Sequence, residues 1–295
     1  MPCRGASERR FNLAHRARIA LLALFVAGLC SPAQPATVRE LAYGPLPEQR
    51  LNLCEAATSS APRPGVLLIH GGGFMGGDKS SLDHLCRKLA SQGFVAATLG
   101  YRLARDAPWP AQLADAQLAV EWLKHNAKAI GLDPHHMCAV GFSAGGALAI
   151  FLGAAHVNRP LAGETSPPSE TPDVQCVVSD SGITDIAALS ASVRDTLWKN
   201  LFKGADRGDR RRLLRGASPL YEVDRNASPM LLICGRKDQI TPPSQCANLQ
   251  KRLRGADVDV RVITHDGGHL GEGLKPEQRN DIFRQMISYL EAALK

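Results

Sequence analysis

Along the chain, short runs of apolar residues alternate with longer stretches in which apolar positions recur every three or four residues. Val66–Ile69, Phe94–Thr98, Met137–Val140, Val174–Val178 and Met230–Cys234 are unbroken or nearly unbroken apolar runs, the pattern of strands covered on both faces, and Val258–Ile263 supplies a further strand. Between them lie amphipathic stretches. Ser81–Ser91 reads as a helix, and Ala111–Ala129 places Leu113, Ala116, Val120, Leu123 and Ala127 on one face. Ala144–Ala155 reads as a helix of small residues that can approach its neighbours closely. From Pro276 onward, Phe283, Met286, Ile287, Leu290 and Leu294 share a side. Strands alternating with helices predict an α/β fold: a mostly parallel central sheet with helices on both faces.

Two stretches depart from this rhythm. Arg159–Pro172, rich in Pro, Ser, Thr and Glu, reads as an exposed loop. Residues 185–225 form a basic, partly helical excursion containing Trp198 and Phe202, a candidate cap. Its Arg210-Arg211-Arg212 run reads as a solvated helix face.

The front of the chain changes the charge picture. Five arginines and one glutamate precede Gln34, so they carry +4 of the formal net charge of +7. The remaining excess is too small to call for a nucleic-acid partner. A basic start, the apolar run Ile19–Cys30 and the small residues Ser31-Pro32-Ala33 read as a signal peptide over residues 1–33. Cleavage is expected after Ala33, with Ala36 an alternative, leaving a catalytic domain over 34–295. The apolar run is shorter than the roughly 20 residues that span a bilayer, so a secreted or periplasmic protein without a stable membrane span is expected. Export permits disulfides, yet Cys138, Cys176 and Cys234 lie in apolar runs, where an unpaired cysteine acts as a small hydrophobe. A pair among Cys54, Cys86 and Cys246 remains open. No C-x-x-C pair or other clustered ligand set suggests a metal.

Candidate chemistry begins at His70-Gly71-Gly72-Gly73-Phe74-Met75-Gly76-Gly77-Asp78-Lys79-Ser80. A phosphate-binding loop needs its lysine directly after the last glycine; here Asp78 intervenes and would repel phosphate. Further on, Gly141-Phe142-Ser143-Ala144-Gly145 fits G-x-S-x-G at a strand-to-helix junction, where the serine is forced into a tight turn and its hydroxyl exposed. A serine hydroxyl is a weak nucleophile and needs a histidine base oriented by a carboxylate. In this chain order the acid follows the serine and the histidine comes last. Asp238, after the strand Met230–Cys234, and His269, after Val258–Ile263, meet that order. His265 is a rival base, and Asp180 and Asp266 are rival acids. The glycines after Ile69 leave a strand at the same edge, so the N–H groups of Gly72 and Gly73, with that of Ala144, are candidate donors to an oxyanion. His70 reads as a structural residue of that loop. Phe74, Met75 and Trp109 are candidate pocket walls, with Trp198 and Phe202 near the cover.

These residues resemble the α/β-hydrolase esterases of the hormone-sensitive-lipase-like group, in particular its branch of bacterial feruloyl-esterase-type and arylformamidase-type enzymes. The resemblance rests on HGGGF with Gly77-Asp78-Lys79, Tyr101-Arg102-Leu103-Ala104, Trp109-Pro110-Ala111-Gln112 with Asp115, Gly141–Gly146, Ser181-Gly182-Ile183 with Asp185, Lys237-Asp238 with Pro242, and Gly268-His269. It implies a serine hydrolase acting on small acyl or aryl esters without a cofactor, with Tyr101, Arg102 and Asp115 as packing and loop-anchoring positions. Phe142-Ser143 and Asp238-Gln239-Ile240 differ from the Asp-Ser and Asp-Pro-Leu usual in the lipase branch, which weakens a lipid substrate. An aryl-amide hydrolase or peptidase on the same machinery is the alternative, and a non-catalytic binding module is the alternative of another class.

Overall fold

The computed structural model describes residues 37–55, 61–154 and 174–295. The signal-peptide reading and the Arg159–Pro172 loop lie outside the described residues. Among the described residues, eight strands form one sheet: β1 (Thr37–Ala42), β2 (Arg50–Glu55), β3 (Arg63–Ile69), β4 (Val95–Leu99), β5 (Leu132–Phe142), β6 (Cys176–Asp180), β7 (Met230–Gly235) and β8 (Val260–His265), in the spatial order β1-β2-β4-β3-β5-β6-β7-β8. β3 through β8 pair in parallel. β1 and β2 add an antiparallel edge on β4 that the apolar runs did not predict. β2 alternates Leu51 and Leu53 with Asn52 and Cys54, and β1 is mostly exposed, so neither has the continuous apolar run of a strand buried on both faces.

The alternation along β3 shows why the sheet is covered twice. Leu67 and Ile69 join one apolar cluster with Leu113, Ala116 and Val120 of α2 (Ala111–His125), Leu148 and Leu152 of α3 (Ala144–Ala154), and Leu249 of α6 (Pro243–Gly255). Val66 and Leu68 point the other way, against Leu89 of α1 (Asp83–Ser91) and Met286 and Leu290 of α7 (Pro276–Ala293). α4 (Ala191–Leu201) and α5 (Arg210–Gly216) make up the excursion between β6 and β7. α2 is shorter than the periodicity predicts: the Asn126 side chain donates to the Trp122 carbonyl at 2.8 Å, a local bond that competes with helix continuation. A separate turn, Ala127–Ile130, follows.

Strands β6 and β8 end two residues later than the sequence predicts. Asp180 still pairs with Phe142, and His265 with Gly235; backbone pairing carries the ladder past the last apolar side chain. Asp180 and His265 are thus strand ends held at the sheet's carboxyl edge.

The cysteines correct the sequence reading. Cys54–Cys86, Cys138–Cys176 and Cys234–Cys246 are disulfides, with Cα atoms 5.9, 4.6 and 6.4 Å apart. Cys138 and Cys176 lie directly opposite each other on parallel β5 and β6, a neighbourhood invisible while each was read only as part of its own apolar run.

Candidate active site

Ser143 stands where β5 turns into α3, with φ 53°. This left-handed conformation costs a residue with a side chain free energy and is tolerated only when its surroundings enforce it. They do so by close approach. A Cβ on Gly141 would lie 2.0 Å from the Gly145 carbonyl oxygen, and one on Gly145 would lie 2.2 Å from that of Ile69. The two glycines of G-x-S-x-G therefore let β3, β5 and α3 converge beneath the serine.

The loop after β8 brings His269 over Ser143. His269 Nε2 is 2.9 Å from Ser143 Oγ, and His269 Nδ1 is 2.7 Å from Asp238 Oδ2. With Nδ1–H donating to the carboxylate, Nε2 is free to accept the serine proton. Asp238 is 4% exposed and well supplied with donors: Ile240 N–H and Thr241 N–H reach Oδ1 at 2.9 Å, and the Thr241 hydroxyl reaches Oδ2 at 2.8 Å. Burial pushes the Asp238 carboxyl up, but the hydrogen bonds from His269 and Thr241 together outweigh it and hold the group below the ordinary carboxylate value.

The rival groups are placed elsewhere. The His265 ring accepts from the Gly267 N–H at 3.2 Å, and burial lowers its pKa. Asp266 pairs with Arg236 at 2.6 Å, with both side chains more than half exposed. Asp180 accepts from the Ser181 hydroxyl at 3.0 Å.

Across from Ser143, the glycine loop has φ 113° at Gly72, 62° at Gly73 and 63° at Phe74. The Gly72 carbonyl accepts from the N–H groups of Met75 and Gly76 at 3.0 and 3.1 Å, closing the turn. Among the described residues the N–H groups of Gly72, Gly73 and Ala144 donate to no backbone carbonyl. His70 anchors the loop: its ring stacks on Tyr101 at 4.4 Å between centroids and its Nδ1–H donates to Gly71 O at 2.7 Å. Burial lowers its pKa, which suits a neutral, structural imidazole. The Tyr101 hydroxyl donates to the His70 carbonyl at 3.0 Å. Fully buried Asp115 accepts from the Arg102 N–H and Nη2 at 2.8 Å and from Gln49 at 2.7 Å, tying the loop after β4 to α2. Asp78 accepts from the Ser80 N–H at 2.8 Å, making the turn that leads into α1.

The site opens into a cavity of about 490 Å³, lined by Gly72, Gly73, Met75, Ser143, Ile183, Ser192, Val193, Thr196, Leu197, Ile240, His269 and Leu270. Of the three expected wall residues, only Met75 lies there. Phe74 is fully buried, and Trp109 packs behind it, 6.1 Å from Phe74 and 5.4 Å from Phe151. Trp198 and Phe202 stack on each other at 5.3 Å and turn inward, so α4 presents Ser192, Val193 and Thr196 to the cavity instead. Those residues carried no motif in the sequence. Ile240, 46% exposed, forms part of the rim. Among the described residues, no group of three or more His, Cys, Asp or Glu is placed to hold a metal ion.

Residues 51–253, most of the described chain, match the BD-FAE family model. The chain belongs to the BD-FAE family. Esterase LipC of Mycobacterium tuberculosis is similar to it, 30% identical over 223 residues that cover 73% of this chain and 55% of LipC. Ethyl acetate hydrolase of Pseudomonas putida is 41% identical over a shorter stretch of 88 residues, 30% of this chain and 28% of that protein. This BD-FAE chain spans about half the length of the curated relatives that it matches most extensively. Among solved structures, a truncated carbohydrate esterase from gut microbiota superposes with a TM-score of 0.75 at 22% identity, covering 89% of this chain and 98% of that one. Esterase B of Lactobacillus Rhamnosis superposes with a TM-score of 0.74 at 23% identity, covering 95% and 93%. The fold is that of the α/β-hydrolases.

Proposed function

We propose that this BD-FAE protein hydrolyses carboxylic esters, with Ser143 as nucleophile, His269 as base and acid, and Asp238 as the group that orients His269. The continuous line from Ser143 Oγ through His269 to Asp238, 2.9 and 2.7 Å long, carries the reading. Ser143 Oγ attacks the ester carbonyl as its proton passes to His269 Nε2, and Asp238 stabilises the imidazolium without accepting the proton. The resulting oxyanion lies against the unengaged N–H groups of Gly72, Gly73 and Ala144, which are fixed before the substrate arrives. His269 returns the proton to the leaving alcohol, and water repeats the sequence on the acyl-enzyme. Among the described residues lining the cavity, His269 is the only one with an ionisable side chain, which favours neutral esters with small acyl or aryl groups.

In the same reading residues 1–33 direct export of the protein and are removed in the process. Support comes from the three cysteine pairs among the described residues, since disulfides persist in oxidising compartments. Recovery of the chain from the periplasm or medium with an N-terminus at Gln34 is the expected result, and an intact N-terminus in the cytosol refutes it.

The purified protein should release p-nitrophenol from short-chain esters and label with a fluorophosphonate. Ser143→Ala should abolish labelling and lower kcat by at least about 10⁴-fold. His269→Ala should be nearly as damaging, whereas His265→Ala should keep activity. A wild-type protein that neither labels nor turns over esters excludes the function; faster turnover of aryl amides than of matched aryl esters redirects it to amides.

A further inference from the structure

Asp180 ends β6 beside the site and has no part in the reaction just described. Its Oδ1 accepts from the Ser181 hydroxyl at 3.0 Å, and the Ser181 Oγ in turn accepts from the Leu270 N–H at 3.0 Å. Leu270 directly follows His269. Ser181 also faces the acid loop: its carbonyl oxygen lies 3.0 Å from the Thr241 hydroxyl, which donates to Asp238 Oδ2 at 2.8 Å. Its N–H donates to Ile233 O at 2.9 Å, which fixes it to the sheet. The end of β6 is therefore bonded to the His269 loop and in contact with the acid loop, the two loops that carry the triad's moving parts.

Backbone conformation supports this. Ser181 has φ 51° and Leu270 φ 52°, left-handed values that a residue with a side chain holds only when its surroundings compensate. From the other side Arg279 of α7 donates to the Gly271 carbonyl at 2.6 Å and to that of Leu270 at 3.4 Å. Asp180 also borders a second cavity of about 150 Å³, behind the His269 loop, whose wall is mostly apolar and includes Leu85, Phe142, Phe283 and Met286. The titratable or charged groups around Asp180 are His269 and Asp238 from the triad, Arg279 from α7, and His265 across the cavity; α1 and β5 bring none to the cavity wall.

We propose that Asp180 and Ser181 are positioning residues for His269: the Asp180 carboxylate turns the Ser181 hydroxyl so that its lone pair receives the Leu270 N–H, and its charge favours the imidazolium formed during acyl transfer. The inference assigns this role within the ester-hydrolase reading above and rests on it. Burial in the apolar cavity pushes Asp180 up to about 6, so its charge is present above that pH and fades below it. The loss falls on the acid side of the activity profile.

The test compares wild type, Asp180→Asn and Ser181→Gly, the glycine accepting the left-handed backbone while removing the hydroxyl. Steady-state kinetics on p-nitrophenyl acetate, pH titration of the histidine ring resonances by NMR, and hydrogen exchange at the Leu270 amide are measured on protein shown to be folded by circular dichroism. In Asp180→Asn, whose amide oxygen still accepts from the Ser181 hydroxyl, kcat should fall about tenfold through loss of the charge that favours the imidazolium, with KM within about twofold. The acid limb and the His269 ring titration should both move to lower pH, because a neighbouring negative charge has gone. In Ser181→Gly, kcat should fall similarly, Leu270 should lose protection, and the acid limb should move to higher pH, because Asp180 loses the hydroxyl that holds its pKa down. Wild-type kcat and an unmoved His269 titration in Asp180→Asn, or undiminished Leu270 protection in Ser181→Gly, overturns the proposal. If Asp180→Asn does not fold, the Ser181→Gly arm decides. If the wild type lacks esterase activity, the functional reading fails on that result alone, while ring titration and amide exchange still decide the positioning role.

Discussion

At Asp238 two opposing effects meet in one carboxylate, and the donors win. Its folded-state pKa lies below the ordinary value, so it adds stability that is fully present above the unfolded-state pKa and is lost as pH falls through the folded-state value. Asp238→Asn should therefore flatten the acid branch of a Tm-against-pH curve. It should also lower kcat by about 10⁴-fold, because an amide no longer holds the Nδ1–H tautomer of His269. An unchanged acid branch would mean that another carboxylate governs the acid unfolding. Gly145 tests the geometry beneath the serine. A methyl there meets the Ile69 and His70 carbonyl oxygens at 2.2 and 2.5 Å, and both are backbone atoms of β3 and the loop it feeds. Gly145→Ala should cost at least about 1–3 kcal/mol, the usual penalty of overpacking, measurable by urea denaturation, and should misplace Ser143. Equal stability with full activity would show that the elbow is more yielding than its contacts indicate.

At the scale of elements, legibility followed the reach of each signal. Ser143, Asp238 and His269 were legible as candidates because each follows a strand at one edge of a parallel sheet, and the loop position of His269, after Gly267-Gly268, favoured it over His265. The antiparallel pair β1–β2 was not readable, since Val38 and Leu41 on an exposed edge carry little apolar periodicity. The pocket was half legible: a bulky aromatic suggests a wall, yet Phe74 and Trp109 spend their bulk on the core. α4 does the lining with Val193 and Thr196, residues too ordinary to announce it. That placement yields a prediction for this helix. Val193→Phe should narrow the cavity of about 490 Å³, lowering kcat/KM for hexanoyl and octanoyl esters by about tenfold or more while acetyl esters keep theirs, a loss of roughly 1–3 kcal/mol per misfit group. An unaltered chain-length profile would place the acyl group away from α4.

At the scale of the molecule, the three disulfides among the described residues differ in what they close. Cys54–Cys86 joins β2 to α1, and Cys138–Cys176 joins two strands already paired in register. Cys234–Cys246, with 12 residues of sequence separation, brackets the loop that carries Asp238 and Thr241. Closing a loop of that size removes unfolded-state entropy equivalent to about 3 kcal/mol, and here it also ties the end of β7 to α6 around Asp238, the proposed acid. Converting both cysteines to alanine should therefore lower stability by about 2–4 kcal/mol and depress kcat more than the equivalent double variant at Cys54 and Cys86, whose bridge lies on the β2–α1 side, away from the acid loop. The measurement is paired: Tm by calorimetry, and kcat at a temperature where each variant remains folded. Equal loss of kcat in the two variants would mean that disulfides act only through global stability. A selective loss at Cys234 and Cys246 would show that the bridge holds Asp238 within reach of His269, so that reduction acts on the catalytic geometry before it unfolds the chain.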